Sequence, residues 1–174
     1  MPEHDRASLE RRAATGEALA YVFFWKHTPV VAAPDARVLS QWSPHGFTID
    51  GTRYPTAEHY MMAEKARLFG DEDARAKILL SSKPNDVKAL GRAVRNYDDK
   101  KWSHARFDVV VRGSRAKFSA SDALRAYLVS TAPKILVEAS PLDTIWGIGL
   151  AADAPNASTP SSWRGLNLLG FALM

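Results

Sequence analysis

The sequence predicts a single α+β domain, predominantly helical, with one small antiparallel sheet. Three observations predict it. Between residues 56 and 132 apolar patterns recur at the helical period, each bounded by a capping residue, a Gly or a Pro. The stretch Phe47-Thr48-Ile49-Asp50-Gly51-Thr52-Arg53-Tyr54 is a hairpin signal, because both central residues of the favoured two-residue turn need positive φ. A chain of 174 residues is also long enough for one domain that buries about two-thirds of its unfolded surface without disulfides or metals.

In chain order, residues 1 to 20 are charged and alanine-rich, with Arg6, Glu10, Arg11, Arg12 and Glu17, and predict a frayed tail or a short surface helix; the domain proper runs from 21 to 174. Tyr21-Val22-Phe23-Phe24-Trp25 is a β-branched and aromatic run and reads as a strand. A link containing Pro29 and Pro34 leads to a loop through Leu39 to Pro44 and then to the hairpin. Thr56 supplies an N-cap oxygen, and Pro55 ahead of it resists backward extension, so a helix is expected from there through Ala66. Ala74, Ile78 and Leu79 predict the next helix. Ser82 is read as the cap of another, through Val87, Leu90 and Val94, with Gly91 and Arg92 inside it. Gly costs about 1 kcal/mol against Ala in a helix, so Gly91 implies close approach by another backbone or a ligand. Lys100 to Phe118 fits helix by length, although its Val run also suits a strand. Ser121 caps a helix with Leu124 and Leu128 inward and Pro133 behind it. Ile135-Leu136-Val137-Glu138-Ala139 reads as a strand; Asp153 to Ser162 is a long loop, and the apolar end from Asn167 to Met174 is expected to dock.

The composition excludes several functions. There is no cysteine, hence no disulfide framework, Cys nucleophile or thiolate zinc. His4, His27, His45, His59 and His104 show no metal-ligand spacing, so no metal site and no cofactor are expected. The start lacks an apolar signal core and no stretch approaches a membrane span, which predicts a soluble, cytoplasmic protein. Lys plus Arg outnumber Asp plus Glu by 23 to 19, a net charge of +4. That mild excess suits an anionic ligand or nucleic acid, without the basic run of a dedicated nucleic-acid binder. Trp25, Trp42, Trp102, Trp146 and Trp163 are either core hydrophobes or stacking surfaces for a planar ligand.

Chemistry concentrates in two places. On the helix after Thr56, Glu58 and Lys65 lie about 20° apart around the axis, with Met61 and Met62 in the turns between. Glu58 falls in the first turn, where the helix dipole favours a carboxylate, as a base or nucleophile requires. A first-turn acid that only matches the dipole, with a solvated lysine, gives the same pattern. In Asp143-Thr144-Ile145-Trp146-Gly147-Ile148-Gly149 a carboxylate precedes a Trp and two glycines, which suits sugar binding, stacking and amide contacts to an anion as well as a plain turn. No P-loop, dinucleotide fingerprint, nucleophile elbow or zinc motif is present.

Taken together, Tyr54-Pro55-Thr56-Ala57-Glu58-His59-Tyr60-Met61-Met62-Ala63, Lys65, Phe69-Gly70-Asp71, Gly91-Arg92, Trp102, Lys117-Phe118, Leu136-Val137-Glu138-Ala139-Ser140-Pro141, Asp143, Trp146-Gly147-Ile148-Gly149 and Asn167-Leu168-Leu169-Gly170 closely resemble the NADAR, or YbiA-like, domain family over about residues 21 to 174. Any one piece is common and the ordered series is specific. The resemblance implies a compact, mostly helical α+β domain that acts on N-glycosidic bonds. It implies catalytic positions at Glu58, Lys65, Asp143 and Trp146, with Arg92, Trp102 and Asn167 as ligand contacts. The implied substrates are ADP-ribose attached to guanine in nucleic acid, or phosphoribosylamino intermediates of riboflavin synthesis. Two departures stand out: Gly113-Ser114 where the family pattern suggests Gly-Asn, and a chain that stops directly after Leu173-Met174, where a further terminal helix would fit.

Cleaving a ribosyl C–N bond builds positive charge on the sugar, which a carboxylate stabilises, while a base activates water or a nucleophile. Glu58 and Asp143 suit those roles. Lys65 either binds phosphate as an ammonium or, with its pKa lowered by burial, attacks C1 of the opened ribose to form a Schiff base. Trp146 would stack on base or ribose, and Arg92 with the Gly147 and Gly149 amides would hold phosphate. The expected partner is thus a nucleotide-sugar small molecule or ADP-ribosylated nucleic acid, with the oligomeric state open. Two other classes compete: a non-catalytic module that binds ADP-ribose or NAD, and a sequence-tolerant single-strand binder with steep salt dependence.

Overall fold

The computed structural model describes residues 5–26 and 33–174; His4, His27 and Pro29 lie outside the described residues. It contains seven α-helices and two short sheets among them, an α+β fold dominated by helix. The chain divides into two compact units, one made of the residues up to Ser40 with Ala126–Met174, the other of Gln41–Arg125. No helix among the described residues is long and apolar enough to cross a membrane.

The first unit opens with α1, Arg6–Ala14, capped by Asp5, whose carboxylate accepts from Ser8 N–H; Leu9 on it is fully buried. Strand β1, Tyr21–Phe24, pairs in parallel with a strand more than a hundred residues later, labelled β4 below. The sequence patterns predict both strands but only an antiparallel sheet. A parallel pair joined by so long a crossover leaves no local signature, whereas a hairpin carries one in its turn.

The second unit starts with that hairpin: β2, Phe47–Ile49, and β3, Thr52–Tyr54, are antiparallel, with Asp50 at φ 49 and Gly51 at φ 76. Both turn residues have the positive φ that the Asp-Gly pair predicts. Helix α2, Ala57–Leu68, follows, then α3, Glu72–Leu80; α4, Pro84–Arg92; and α5, Asp99–Ser119. Helix α2 packs on α3, α4 and α5, and most of its side chains are buried. This is why its apolar periodicity is weak: a helix covered on several sides has no solvent face to alternate with.

The start of α4 corrects the expected Ser82 cap. Lys83 is the N-cap, extended at φ −118 and ψ 123, with no side-chain cap bond. Pro84 fixes this, since Pro is favoured at the first helical position and forces the residue before it out of the helical region. Val94 lies beyond the helix, although buried. Helix α6, Asp122–Ser130, crosses the boundary between the units, with Ser121 Oγ accepting from Leu124 N–H at 3.5 Å.

In the first unit, β4, Ile135–Glu138, completes the parallel pair, and α7, Leu168–Leu173, packs against it as the docked chain end. The expected loop from 153 to 162 holds a single 3-10 turn, Pro160–Ser162.

Candidate active site

In the second unit the helix cap does more than start α2. Thr56 Oγ1 accepts the His59 N–H at 3.3 Å, and the same hydroxyl meets His59 Nδ1 at 2.8 Å. With Nε2–H donating to the Ser81 carbonyl at 3.0 Å, Nδ1 accepts from the Thr56 hydroxyl, so every polar atom of this pair is used. His59 is fully buried, and burial pushes its pKa below the ordinary histidine value. This histidine locks the entry to α2 in a neutral tautomer. Glu58 sits one residue earlier in that locked turn, only 4% exposed, with its N–H on the Gln41 carbonyl at 3.0 Å. A carboxylate costs much to bury, so its burial in the first turn separates it from the ordinary solvated cap acid.

Two turns on, Lys65 is half-buried. Its Nζ donates to the Gly91 carbonyl at 2.8 Å and stands 4.3 Å from the Tyr97 ring centroid and 5.9 Å from that of Trp102. Burial lowers its pKa, the neighbouring Arg92 charge acts in the same direction, and Asp99 opposes them. The structure thus brings Lys65, Arg92 and Trp102 together. Arg92 is exposed at the last turn of α4, while Trp102 is buried on α5.

Gly91 explains how the amine is positioned. A side chain there would overlap Met62 Sδ, so α4 approaches α2 closely enough for the Gly91 carbonyl to meet Lys65. The close approach expected at Gly91 is real, but the approaching group is a side chain rather than a backbone or ligand.

Two groups of this unit have a chemistry that sequence reading does not assign. Tyr97, between α4 and α5, walls Lys65 and nothing in its local pattern marks it. Lys117 on α5 is 2% exposed, and burial lowers its pKa to about 7. Its signal was available: at 110, 114, 117 and 118 the buried stripe of α5 carries one cation.

In the first unit the 143 to 149 turn is tightly self-bonded. Asp143 Oδ1 accepts from the Ile145 and Trp146 N–H groups at 2.9 and 2.8 Å. The Gly149 N–H donates to the Asp143 carbonyl at 3.1 Å, with Gly149 at φ 68. That amide is used inside the turn. Gly147 is buried, and a side chain there would crowd the Glu138 carbonyl at 2.8 Å, so this glycine serves packing. The Trp146 ring is half-buried.

Asn167 has both ends of its side-chain amide bonded within the fold. It is fully buried at φ 54, its Nδ2 donates to the Leu136 carbonyl at 2.9 Å, and its Oδ1 accepts the Glu138 N–H at 3.0 Å. Both ends of the amide clamp β4, a role for which Asn suits because it tolerates positive φ.

Comparison with known proteins gives the following likenesses. A family model described as the NADAR domain matches residues 23–174. The N-glycosidase R617 of Acanthamoeba polyphaga mimivirus is 43% identical over 159 residues, 88% of this chain and 92% of the relative. N-glycosidase YbiA of Escherichia coli (strain K12) is 36% identical over 126 residues, 72% of this chain and 70% of the relative. The NMR structure of the E. coli protein YbiA matches with a TM-score of 0.71 at 30% identity, covering 89% of this chain and 81% of that one.

Proposed function

The chain belongs to the NADAR domain family and is an N-glycosidase, a hydrolase of N-glycosyl bonds; from that premise we propose that it cleaves the ribosyl C–N bond of an ADP-ribose-type substrate, removing ADP-ribose from guanine in nucleic acid. The observation that carries the proposal is Lys65: an amine held between two aromatic rings and a backbone carbonyl, with its proton affinity lowered, on the same helix as the buried Glu58.

In this reading the neutral Lys65 amine attacks C1 of the ribose. The guanine nitrogen leaves with the electron pair of the C1–N bond and takes the proton that the amine gives up; the C1–O4′ bond then opens, the remaining N–H proton passes to O4′, and the imine C1=N to Lys65 forms. Glu58 stabilises the positive charge that develops on the sugar, relays the amine proton to the leaving nitrogen, and later relays a water proton back to the amine. Water adds to the resulting imine carbon and returns Lys65 to the free amine. Arg92, a permanent cation beside Lys65, adds to burial in lowering the proton affinity of the amine and offers a contact for a phosphate. For Asp143 the turn geometry supports a loop-holding role first, with Oδ2 left to meet a hydroxyl; Trp146 offers its half-buried ring as a stacking surface.

A second reading, hydrolysis of phosphoribosylamino intermediates of riboflavin synthesis, uses the same bond type with an amine as leaving group. The purified protein incubated in parallel with an ADP-ribosylated guanine oligonucleotide and with the phosphoribosylamino pyrimidine, products read by mass spectrometry, decides between them. Restored unmodified guanine with released ADP-ribose supports the proposal. Turnover of the pyrimidine alone favours the second reading, and turnover of neither overturns both.

A further inference from the structure

We propose that a surface cavity beside α5 is a binding site for single-stranded nucleic acid, holding nucleotides that flank the modified base. The proposal rests on the guanine-in-nucleic-acid reading for its biological sense, but not for its test. The cavity, about 480 Å³, lies wholly within the second unit and is lined by Phe69, Asn96, Asp98, Lys100, Lys101 and His104. Lys100 and Lys101 are exposed in the first turn of the 21-residue α5.

The acids nearby are already engaged. Asp98 caps α5 by accepting the Lys101 N–H at 2.6 Å, and Asp99 accepts the Tyr97 hydroxyl at 2.8 Å. Lys101 Nζ spends one donor on the Leu68 carbonyl at 3.0 Å and keeps two for an anion. His104 is steadied by Nδ1 against the Lys100 carbonyl at 3.2 Å. The lining thus carries two lysines against the single carboxylate of Asp98.

The aromatic half of the site is Tyr97. It is 45% exposed, so part of the ring is open to a ligand. It packs edge-on against Phe69 at 5.4 Å and reaches Lys65 on its other side. An exposed ring beside a basic cavity is what a sequence-tolerant single-strand site uses: phosphates on the cations, a base on the ring. Tyr97 connects this cavity to the Lys65 amine, so a strand seated here would carry its modified base toward the proposed chemistry. A free nucleotide presents the same phosphate chemistry as a strand, and the length dependence separates them.

The test uses the full chain with Lys100→Glu/Lys101→Glu, Lys100→Glu alone and Tyr97→Ala. Binding of a short fluorescein-labelled, unmodified single-stranded oligodeoxynucleotide is followed by anisotropy between about 50 and 200 mM salt. The double variant is expected to bind about tenfold or more weakly and to lose about 1.4 from the salt slope, at about 0.7 per phosphate contact in single strands. Lys100→Glu loses about half that slope, and Tyr97→Ala weakens binding about fivefold or more. Equal affinity and slope in wild type and double variant overturn the proposal, as does equal competition by a mononucleotide and by the oligonucleotide. Because this arm needs no turnover, it decides the site even if the ADP-ribosyl-guanine reading fails. If that reading holds, the double variant raises KM for the modified oligonucleotide about tenfold and leaves turnover of ADP-ribosylguanosine within about twofold. Equal losses on both substrates count against the site.

Discussion

The Nζ of Lys65 donates a 2.8 Å hydrogen bond to the carbonyl oxygen of Gly91. This contact spans two helices and exists because position 91 has no side chain. Gly91→Ala would gain about 1 kcal/mol of helix propensity, yet its Cβ would overlap the Met62 side chain, and overpacking costs about 1–3 kcal/mol. The expected net is a loss of up to about 2 kcal/mol, read as a lowered urea midpoint at unchanged m-value, with a fall in kcat as the carbonyl shifts from Lys65. Full stability together with full activity would show that α4 does not position the amine.

Glu58→Gln keeps the Thr56 cap and the His59 bonds, so the fold should survive, with about 0.3–1 kcal/mol lost from the dipole interaction. Turnover should drop at least about 100-fold, as for a lost acid or base. Near-normal kcat in single-turnover assays would remove Glu58 from the chemistry.

Asp143→Asn retains an oxygen for the Ile145 and Trp146 amides, so the turn should hold. A drop in kcat with KM unchanged would assign the carboxylate to the chemistry. A raised KM at normal kcat would make it a sugar contact, and no change in either would leave Asp143 a turn residue alone.

Lys117 supplies a stability prediction with a definite sign. Its pKa in the fold is about 7, against about 10.4 for an unperturbed lysine. Between those values the unfolded chain binds more protons than the folded one, so stability rises with pH, by at most about 1.4 kcal/mol per pH unit. His45, also lowered by burial and by the Lys117 charge, acts in the same direction only below its own unperturbed value. Denaturation at pH 7, 8 and 9 should show wild-type stability climbing and Lys117→Met more stable at pH 7 and climbing less, with the rise that the lowered Lys65 contributes remaining. An equal climb in the variant would assign the dependence to other groups.

Parts of this fold are legible in the sequence because local chemistry decides them. The Asp50-Gly51 turn and the Thr56 cap need nothing beyond their own neighbours. The β1 to β4 pairing depends on residues more than a hundred positions apart, and no local pattern encodes it. Glu58 and Lys65 were legible as one helical face, but the Tyr97 wall and the Gly91 carbonyl come from other elements. Asn167 and Gly149 look like ligand contacts in a string of letters because amides and glycines serve ligands and backbones alike. The hydrogen-bond partners, Leu136 and Glu138 for one and Asp143 for the other, show the use each makes of its amide within the fold.

The role of Lys65 as an amine nucleophile is tested most directly by trapping. The wild-type protein is incubated with an ADP-ribosylated guanine oligonucleotide and borohydride, which reduces an imine to a stable adduct, and the peptide containing Lys65 is weighed. Lys65→Arg runs beside it, since arginine keeps the charge and the phosphate contact but stays protonated. A sugar-mass increase on the Lys65 peptide of the wild type, with turnover lost in Lys65→Arg, is the expected result. Activity surviving in Lys65→Arg with no trapped adduct in the wild type would contradict it and leave Lys65 an electrostatic contact.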